Sequence, residues 1–333
     1  MSVKNKIISV SVVMPVYNNA GYLKTAIDSI LRQSFKDFEC IIIDDGSTDN
    51  TAKIIRHYKD PRIKVIHHRH NKGLVFSLNQ GIRHARGKYI IRMDGDDVSL
   101  TTRFKEQVAF MDDNHSIGVC ASWIRVFGNG INYIWRTPID HDDIKARSLF
   151  ETPIAHPSVI MRRSVLIKNK LFYSKKFALA EDYELWTRAS RVTKLHSYPK
   201  VLLKYRMHES QTGHTKITPQ KQMGKKIRLL QLAKLHLHPN SNESKLHESI
   251  CHWEKRAEFN QIRDWLNAIA LANHTYQVYD VTALNNILIE KWFGLLSLYQ
   301  TSRIKRLWLG LQHGRQLQLP SMRYALGKLG IWA

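Results

Sequence analysis

A chain of 333 residues with 43% hydrophobic content can bury a real core, as one large or two modest domains, so disorder is not its default state. Its formal charge of +23 comes from 51 Lys and Arg against 28 Asp and Glu, so carboxylates are scarce and the places where they gather carry information. The cysteines Cys40, Cys120 and Cys251 are odd in number and far apart, which disfavours a disulfide framework or a cysteine zinc site and fits a reducing, cytosolic compartment.

Lys4 and Lys6 followed by Ile7 to Met14 imitate a signal peptide, but this β-branched run meets Pro15 and then Tyr17-Asn18-Asn19, a strand followed by a turn. Leu23, Ala26, Ile27, Ile30 and Leu31 recur at helical spacing and predict an amphipathic helix ending near Gln33. Phe38 to Ile43 predicts a second strand, and Asp44-Asp45-Gly46-Ser47-Thr48-Asp49 supplies turn residues and a helix N-cap. Ile63 to Ile66 reads as a third strand. Leu74, Leu78, Ile82 and Ala85 mark one helical face that Gly87 ends, and Tyr89 to Met93 reads as the next strand. This alternation predicts an α/β fold with a mostly parallel sheet and helices on both faces, in which ligands bind beyond the carboxyl ends of the strands. Asp44-Asp45 and Asp94-Gly95-Asp96-Asp97 stand at two such ends.

Beyond Arg103 the pattern is mixed: a helix to about Met111, a strand from Val119 to Phe127, and a Gly128-Asn129-Gly130 hairpin signal leading to Tyr133-Ile134-Trp135. The cluster His67-His68-His70 is read as a solvated loop at a strand edge. After Thr215 the sequence turns helical, with Met223, Ile227, Leu230, Ala233 and Leu237 on one face, and a boundary near Thr215 to Pro219 separates residues 1–215 from 216–333. No apolar run approaches the roughly 20 residues needed to cross a bilayer. From Lys291 onward there is no acid, while Lys291, Arg303, Lys305, Arg306, Arg315, Arg323 and Lys328 alternate with Trp292, Trp308, Tyr324 and Trp332. Ile304, Leu307, Trp308 and Leu311 form a stripe beside these cations, which reads either as an interfacial helix on an anionic membrane surface or as a docking helix with a solvated face.

Three acid clusters carry the chemistry. Asp94-Gly95-Asp96-Asp97 can direct two carboxylates to one Mg²⁺ or Mn²⁺ bridging a diphosphate, or it is a solvated acidic turn. Asp44-Asp45 can accept hydrogen bonds from a base or ribose. Glu181-Asp182 opens a helical pattern, where an acid is either ordinary helix-start charge or a general base.

Pro15-Val16-Tyr17-Asn18, Asp44 to Asp49, Asp94-x-Asp96-Asp97, His156-Pro157-Ser158, Glu181-Asp182 and Tyr205-Arg206-Met207-His208 occur in the order that resembles family 2 inverting glycosyltransferases of the GT-A fold. The likeness spans roughly residues 7 to 215 and is nearest to bacterial transferases that extend lipooligosaccharide, capsule or O-antigen chains. It implies a GT-A domain with a helical, basic C-terminal extension, a nucleotide-diphosphate-sugar donor (UDP-GlcNAc, UDP-Gal or UDP-Glc), a glycan or glycolipid acceptor, and Mn²⁺ or Mg²⁺. By the same resemblance Tyr17 stacks on the base beside Pro15, Asp45 accepts from its ring N–H, and Asp94 contacts ribose or sugar. Asp96 binds the metal, His208 approaches metal or diphosphate, Arg206 or Lys72 meets phosphate oxygens, and Asp182 is the base. The expected site is the cytoplasm, peripheral at the inner membrane face. A Gln-x-x-Arg-Trp element with following membrane spans, found in processive members, is absent, so single addition is expected. The competing readings are a nucleotidyltransferase on a related fold, which has no use for Asp182 as a base, and a basic nucleic-acid-binding protein, which the cleft acids oppose.

Overall fold

The computed structural model describes residues 8–209, 211, 216–255 and 258–299. The chain divides into two units, one comprising residues 1–144 and 153–223, the other residues 145–152 and 224–333.

The first unit is built on a nine-stranded sheet: β1 (Val10–Val16), β2 (Phe38–Asp44), β3 (Ile63–His67), β4 (Tyr89–Arg92), β5 (Val98–Ser99), β6 (Ile117–Gly128), β7 (Ile131–Trp135), β8 (Ile160–Arg162) and β9 (Lys194–Arg206). The order is β3-β2-β1-β4-β8-β6-β9-β5, with β7 paired to β6 as the hairpin signal predicts. Strands β3, β2, β1 and β4 are mutually parallel, β8 is antiparallel to β4 and β6, and β9 is parallel to β6. Hence β1 to β4, β6 and β9 all point their carboxyl ends at one rim, and β8, running against them, starts there. Pro15 is tolerated in central β1 because pairing with β4 ends at Val13, so its missing N–H removes no ladder bond on that side.

Strand periodicity builds two layers of core. Val10, Val12 and Met14 of β1 face α1 (Leu23–Leu31) and α4 (Arg103–Asp113), where Ala26, Ile27, Ile30, Phe104 and Met111 are fully buried. Val13, Ile41, Ile43 and Ile90 face the other way, onto Leu78 and Ile82 of α3 (Leu74–His84) and Leu185 and Trp186 of α7 (Glu181–Ala189). Each such side chain contributes about 1.5–3 kcal/mol by leaving water. Of the predicted α3 face, Leu78, Ile82 and Ala85 are buried, while Leu74 in the first turn is 40% exposed and Val75 is buried in its place. The shorter α2 (Thr51–His57), α5 (His141–Arg147) and α6 (Arg163–Lys168) complete the region.

The second unit packs α8 (Ile217–Lys234), which enters it from the first, with α9 (Ser241–Cys251), α10 (Phe259–Tyr276) and α11 (Val281–Tyr299). A capping box starts α9: Asn240 Oδ1 accepts from Glu243 N at 3.0 Å, and Glu243 Oε2 accepts from Asn240 N at 2.8 Å. In α8 the buried positions are Gly224, Ile227, Arg228, Gln231 and Leu232, while Leu230 is exposed, so the predicted face is rotated. Residues 145–152 supply Ala146, Leu149 and Phe150 to this core, and Arg147 forks onto Glu290 at 2.7 and 3.0 Å.

The assignment of Lys291 and Trp292 to a basic surface tail is corrected. Both are buried in the second unit's core, Lys291 over the Trp253 ring at 4.3 Å and 3.5 Å from Glu151 Oε2. Their buried apolar neighbours, not an anionic surface, account for them. The remaining tail residues, Arg303 to Trp332, lie outside the described residues. No helix among the described residues is long and apolar enough to cross a membrane.

Candidate active site

The site assembles on the rim where the parallel strands end. The β1 turn is laced to the β2 turn: Asn18 Oδ1 accepts from Thr48 N at 2.8 Å, Asn19 N donates to Thr51 Oγ1 at 2.9 Å, and Ala20 N donates to Asp49 Oδ2 at 3.0 Å. Tyr17 stands at the end of β1 with 45% of its surface free, and Pro15 is buried within the strand behind it.

Asp45 is buried and committed to its surroundings. Its Oδ1 accepts from Lys72 N at 2.9 Å and lies 2.6 Å from His68 Nδ1, while Oδ2 accepts from Gly73 N at 2.8 Å. The histidine reading is corrected here: His68 is buried against Asp45, and the exposed His67 lies 3.2 Å from Asp44 Oδ2. His67 is the last residue of β3 and faces out, while His68, just after the strand, donates its N–H to the Asp44 carbonyl at 2.9 Å and turns its ring inward. Lys72 enters through its backbone N–H, while its ammonium lies over the Phe76 ring at 4.8 Å.

Beyond β4, one ligand atom each from Asp94, Asp96 and Asp97 falls within 4.8 Å of the others. His208 Nε2 lies 3.0 Å from Asp96 Oδ2. Arg206 N donates to Asp97 Oδ1 at 2.9 Å, its Nε donates to the Asp96 carbonyl at 2.9 Å, and its guanidinium sits between the Tyr22 and Phe127 rings. The loop therefore brings Asp94, Asp96, Arg206 and His208 together. Among the described residues Asp97 Oδ2 has no hydrogen-bond partner although it is buried.

The cluster is electrostatically strained. Burial, with Asp96 and Asp182 adding to it, pushes Asp94 up to about 6 despite the charge of Arg92. Burial, then Asp94 and Asp96, push Asp97 well above the ordinary carboxylate range. Asp182 and Glu181 open α7, and burial raises both, Glu181 to about 7 with Asp182 adding its charge; for Asp182 the Tyr183 N–H and Arg92 oppose the rise. The charge of Asp182 is felt at Asp94, so the acids after β4 and the helix-start acid share one electrostatic site.

Five residues that the motifs did not assign hold this arrangement. Besides His68, Arg92 is buried and pairs with Asp94; burial works against its charge, and Asp94, Tyr173 and Asp97 more than restore it. Arg103 is fully buried and donates to the Arg92 carbonyl at 3.0 Å; burial pulls it down to about 9, with Asp97 opposing. Tyr173 bonds His156 Nε2 at 2.7 Å, and burial, then Arg92, hold His156 neutral. Asn79 clamps the Tyr173 backbone on both sides at 2.9 Å.

A mostly parallel sheet whose strand ends gather an acid triad and a helix-start carboxylate has the GT-A architecture. Among solved structures, TarS of S. aureus, residues 1–349 in complex with UDP-GlcNAc, superimposes with a TM-score of 0.59 over 86% of this chain and 87% of its own, at 19% identity. The family model described as Glycosyl transferase family 2 matches residues 11–169. An uncharacterized glycosyltransferase of Haemophilus influenzae is 36% identical over 231 residues, 66% of this chain and 72% of its own. Another, of Methanocaldococcus jannaschii, is 34% identical over 220 residues, 64% of this chain and 75% of its own. The chain belongs to glycosyl transferase family 2. The nucleotidyltransferase and nucleic-acid readings are not favoured.

Proposed function

We propose that the protein is an inverting transferase that moves one sugar from a nucleotide-diphosphate sugar to a hydroxyl of a bacterial surface-glycan acceptor, working in the cytoplasm at the inner membrane face. The observation that carries this reading is the shared electrostatic site of Asp94, Asp96, Asp97 and Asp182. UDP is the first carrier to test, because TarS, with the same fold, binds UDP-GlcNAc; UDP-Gal and UDP-Glc follow.

The acid triad fits a divalent cation, Mn²⁺ or Mg²⁺: three oxygen donors converge, and the buried Asp97 Oδ2 has no other partner among the described residues. Asp96, with His208 beside it, would hold the ion, which when bound supplies positive charge to the departing diphosphate. Tyr17 stacks on the base and Asp45 accepts from it. Asp94 contacts ribose or sugar, and Arg206 or Lys72 meets phosphate oxygens. Asp182 takes the proton from the acceptor hydroxyl while that oxygen bonds to the anomeric carbon and the carbon–oxygen bond to the diphosphate breaks on the opposite face. Burial serves this step, since a carboxylate of raised pKa is a stronger base.

The test is a donor screen that measures nucleotide release from UDP-GlcNAc, UDP-Gal, UDP-Glc and other nucleotide sugars, with and without Mn²⁺. Metal-dependent release from one donor is expected, and no release from any nucleotide sugar would overturn the reading. The stretch from Arg303 to Lys328 is further proposed to hold the enzyme at an anionic membrane. Flotation with anionic liposomes tests this, with lower recovery expected for a chain ending at Tyr299 and equal recovery refuting it.

A further inference from the structure

Asp45 does not stand alone in the wall of the nucleotide site. His68 is 3% exposed at its side chain, with Nδ1 2.6 Å from Asp45 Oδ1 and Nε2 2.5 Å from Gln80 Oε1 of α3. Phe76 meets the ring edge-on at 5.4 Å. An imidazole held at both nitrogens and packed on its side has one orientation, so the carboxylate it touches also has one.

The backbone brings the two loops of this wall together. Gly46, at φ +74, lets the chain at His70 and Asn71 pass so close that a Cβ there would lie 2.5 Å from the His70 carbonyl carbon and 2.8 Å from Asn71 N. The turn after β2 and the loop before α3 are thus one wall, joined by Asp45 to the Lys72 and Gly73 amides. An ionised carboxylate offers about four acceptor positions. His68 and Lys72 N occupy those on Oδ1, and Gly73 N occupies one on Oδ2, so a single position on Oδ2 remains.

Building on the nucleotide-sugar reading above, we propose that His68 is the positioning residue that sets the nucleotide-base preference of this site. By locking Asp45 it leaves one acceptor, which takes a ring N–H of the kind uracil and guanine carry. The corresponding ring nitrogen of cytosine or adenine is itself an acceptor, and a lone pair facing a carboxylate lone pair is repelled. Held by the Lys72 and Gly73 amides alone, Asp45 could pivot to offer an oxygen to an exocyclic amine and lose the distinction.

The experiment is calorimetric titration of UDP, GDP, CDP and ADP into the full chain with Mn²⁺, for the wild type, His68→Phe, His68→Gln and His68→Asn. The wild type binds UDP or GDP at least about 10-fold tighter than CDP and ADP, the size of one charge-assisted hydrogen bond. His68→Phe keeps the ring volume and loses the donor, so the ratio falls to within about 3-fold, whereas His68→Asn restores it because its amide N–H stands where Nδ1–H stands. His68→Gln carries its N–H past that point and behaves as the Phe variant does, which keeps the test in force if the Phe variant fails to fold. A purely structural role would weaken all four ligands together; an unchanged ratio in the Phe or Gln variant overturns the proposal. Failure of the wild type to bind any nucleoside diphosphate overturns the donor reading instead.

Discussion

Replacing Glu181 by Gln should stabilise the first unit by an amount that grows as pH rises from about 5 to about 7 and is nearly constant above that. The side chain is 6% exposed at the first residue of α7, and burial, followed by the charge of Asp182, raises it from the ordinary 4.5 to about 7. Because the folded value lies above the unfolded one, the native state binds more protons between these limits. Stability is therefore greatest below the unfolded value and is lost as pH rises through about 7. The difference from 4.5 to about 7, at about 1.4 kcal/mol per pH unit, is a penalty of about 3 kcal/mol at about pH 8. Gln keeps the shape and an acceptor oxygen and removes the charge. Denaturant unfolding with a chelator present should show Glu181→Gln more stable by about 3 kcal/mol at pH 8 and by under about 1 kcal/mol at pH 5. An equal gain at both values, or none at pH 8, would refute the electrostatic account.

Asp182→Asn should lower transfer by at least about 100-fold while leaving nucleotide affinity within about 2-fold, read from product formation beside calorimetry; undiminished transfer would remove Asp182 as the base. Since Asp182 accepts a proton only when ionised, and burial raises its pKa, the wild-type rate should climb with pH above the ordinary carboxylate value, and a flat profile would count against the assignment. Asp96→Ala should weaken Mn²⁺-dependent donor binding by about 10- to 100-fold, and identical titrations with and without Mn²⁺ in the wild type would remove the metal from the account. Gly46→Ala should cost at least about 2 kcal/mol, combining a positive φ with a Cβ 2.5 Å from backbone, and a loss under about 0.5 kcal/mol in thermal or denaturant unfolding would show that the two loops separate freely.

The parallel half of the sheet was legible because each strand is a short β-branched run closed by Gly, Asp or Asn, and each helix repeats apolar residues at the right period. The acids at strand ends were legible for the same reason: charge scarcity made them conspicuous. Strand β9 was not. Pro199 breaks its pattern, and the register against β6 jumps from Ser122 opposite Tyr198 to Trp123 opposite Val201, a bulge that accommodates the proline. The two-residue β5 is held only by its partner, Val98 opposite Lys204 and Ser99 opposite Leu203, and no local signal marks it. His68 was hidden because three histidines in four residues look like a polar loop, and only pairing of β3 with β2 at Asp44 opposite His67 turns one of them inward. Lys291 was misread because charge predicts exposure unless a partner is known, and its partners, Glu151 and the Trp253 ring, are distant in sequence.

The segment 145–152 has a bearing on how this molecule can be divided. It is drawn from the middle of the first unit's sequence yet belongs to the second, where Leu149 and Phe150 are buried and Arg147 pairs with Glu290. A stop codon near residue 216 would delete the four helices and leave these apolar side chains and Arg147 stripped of their partners inside an otherwise intact chain. The helical unit is thus drawn from two separate stretches of sequence, not from the C-terminal one alone. Shortened versions made for crystallography or domain exchange will need Leu149 and Phe150 replaced by polar residues before they stay in solution.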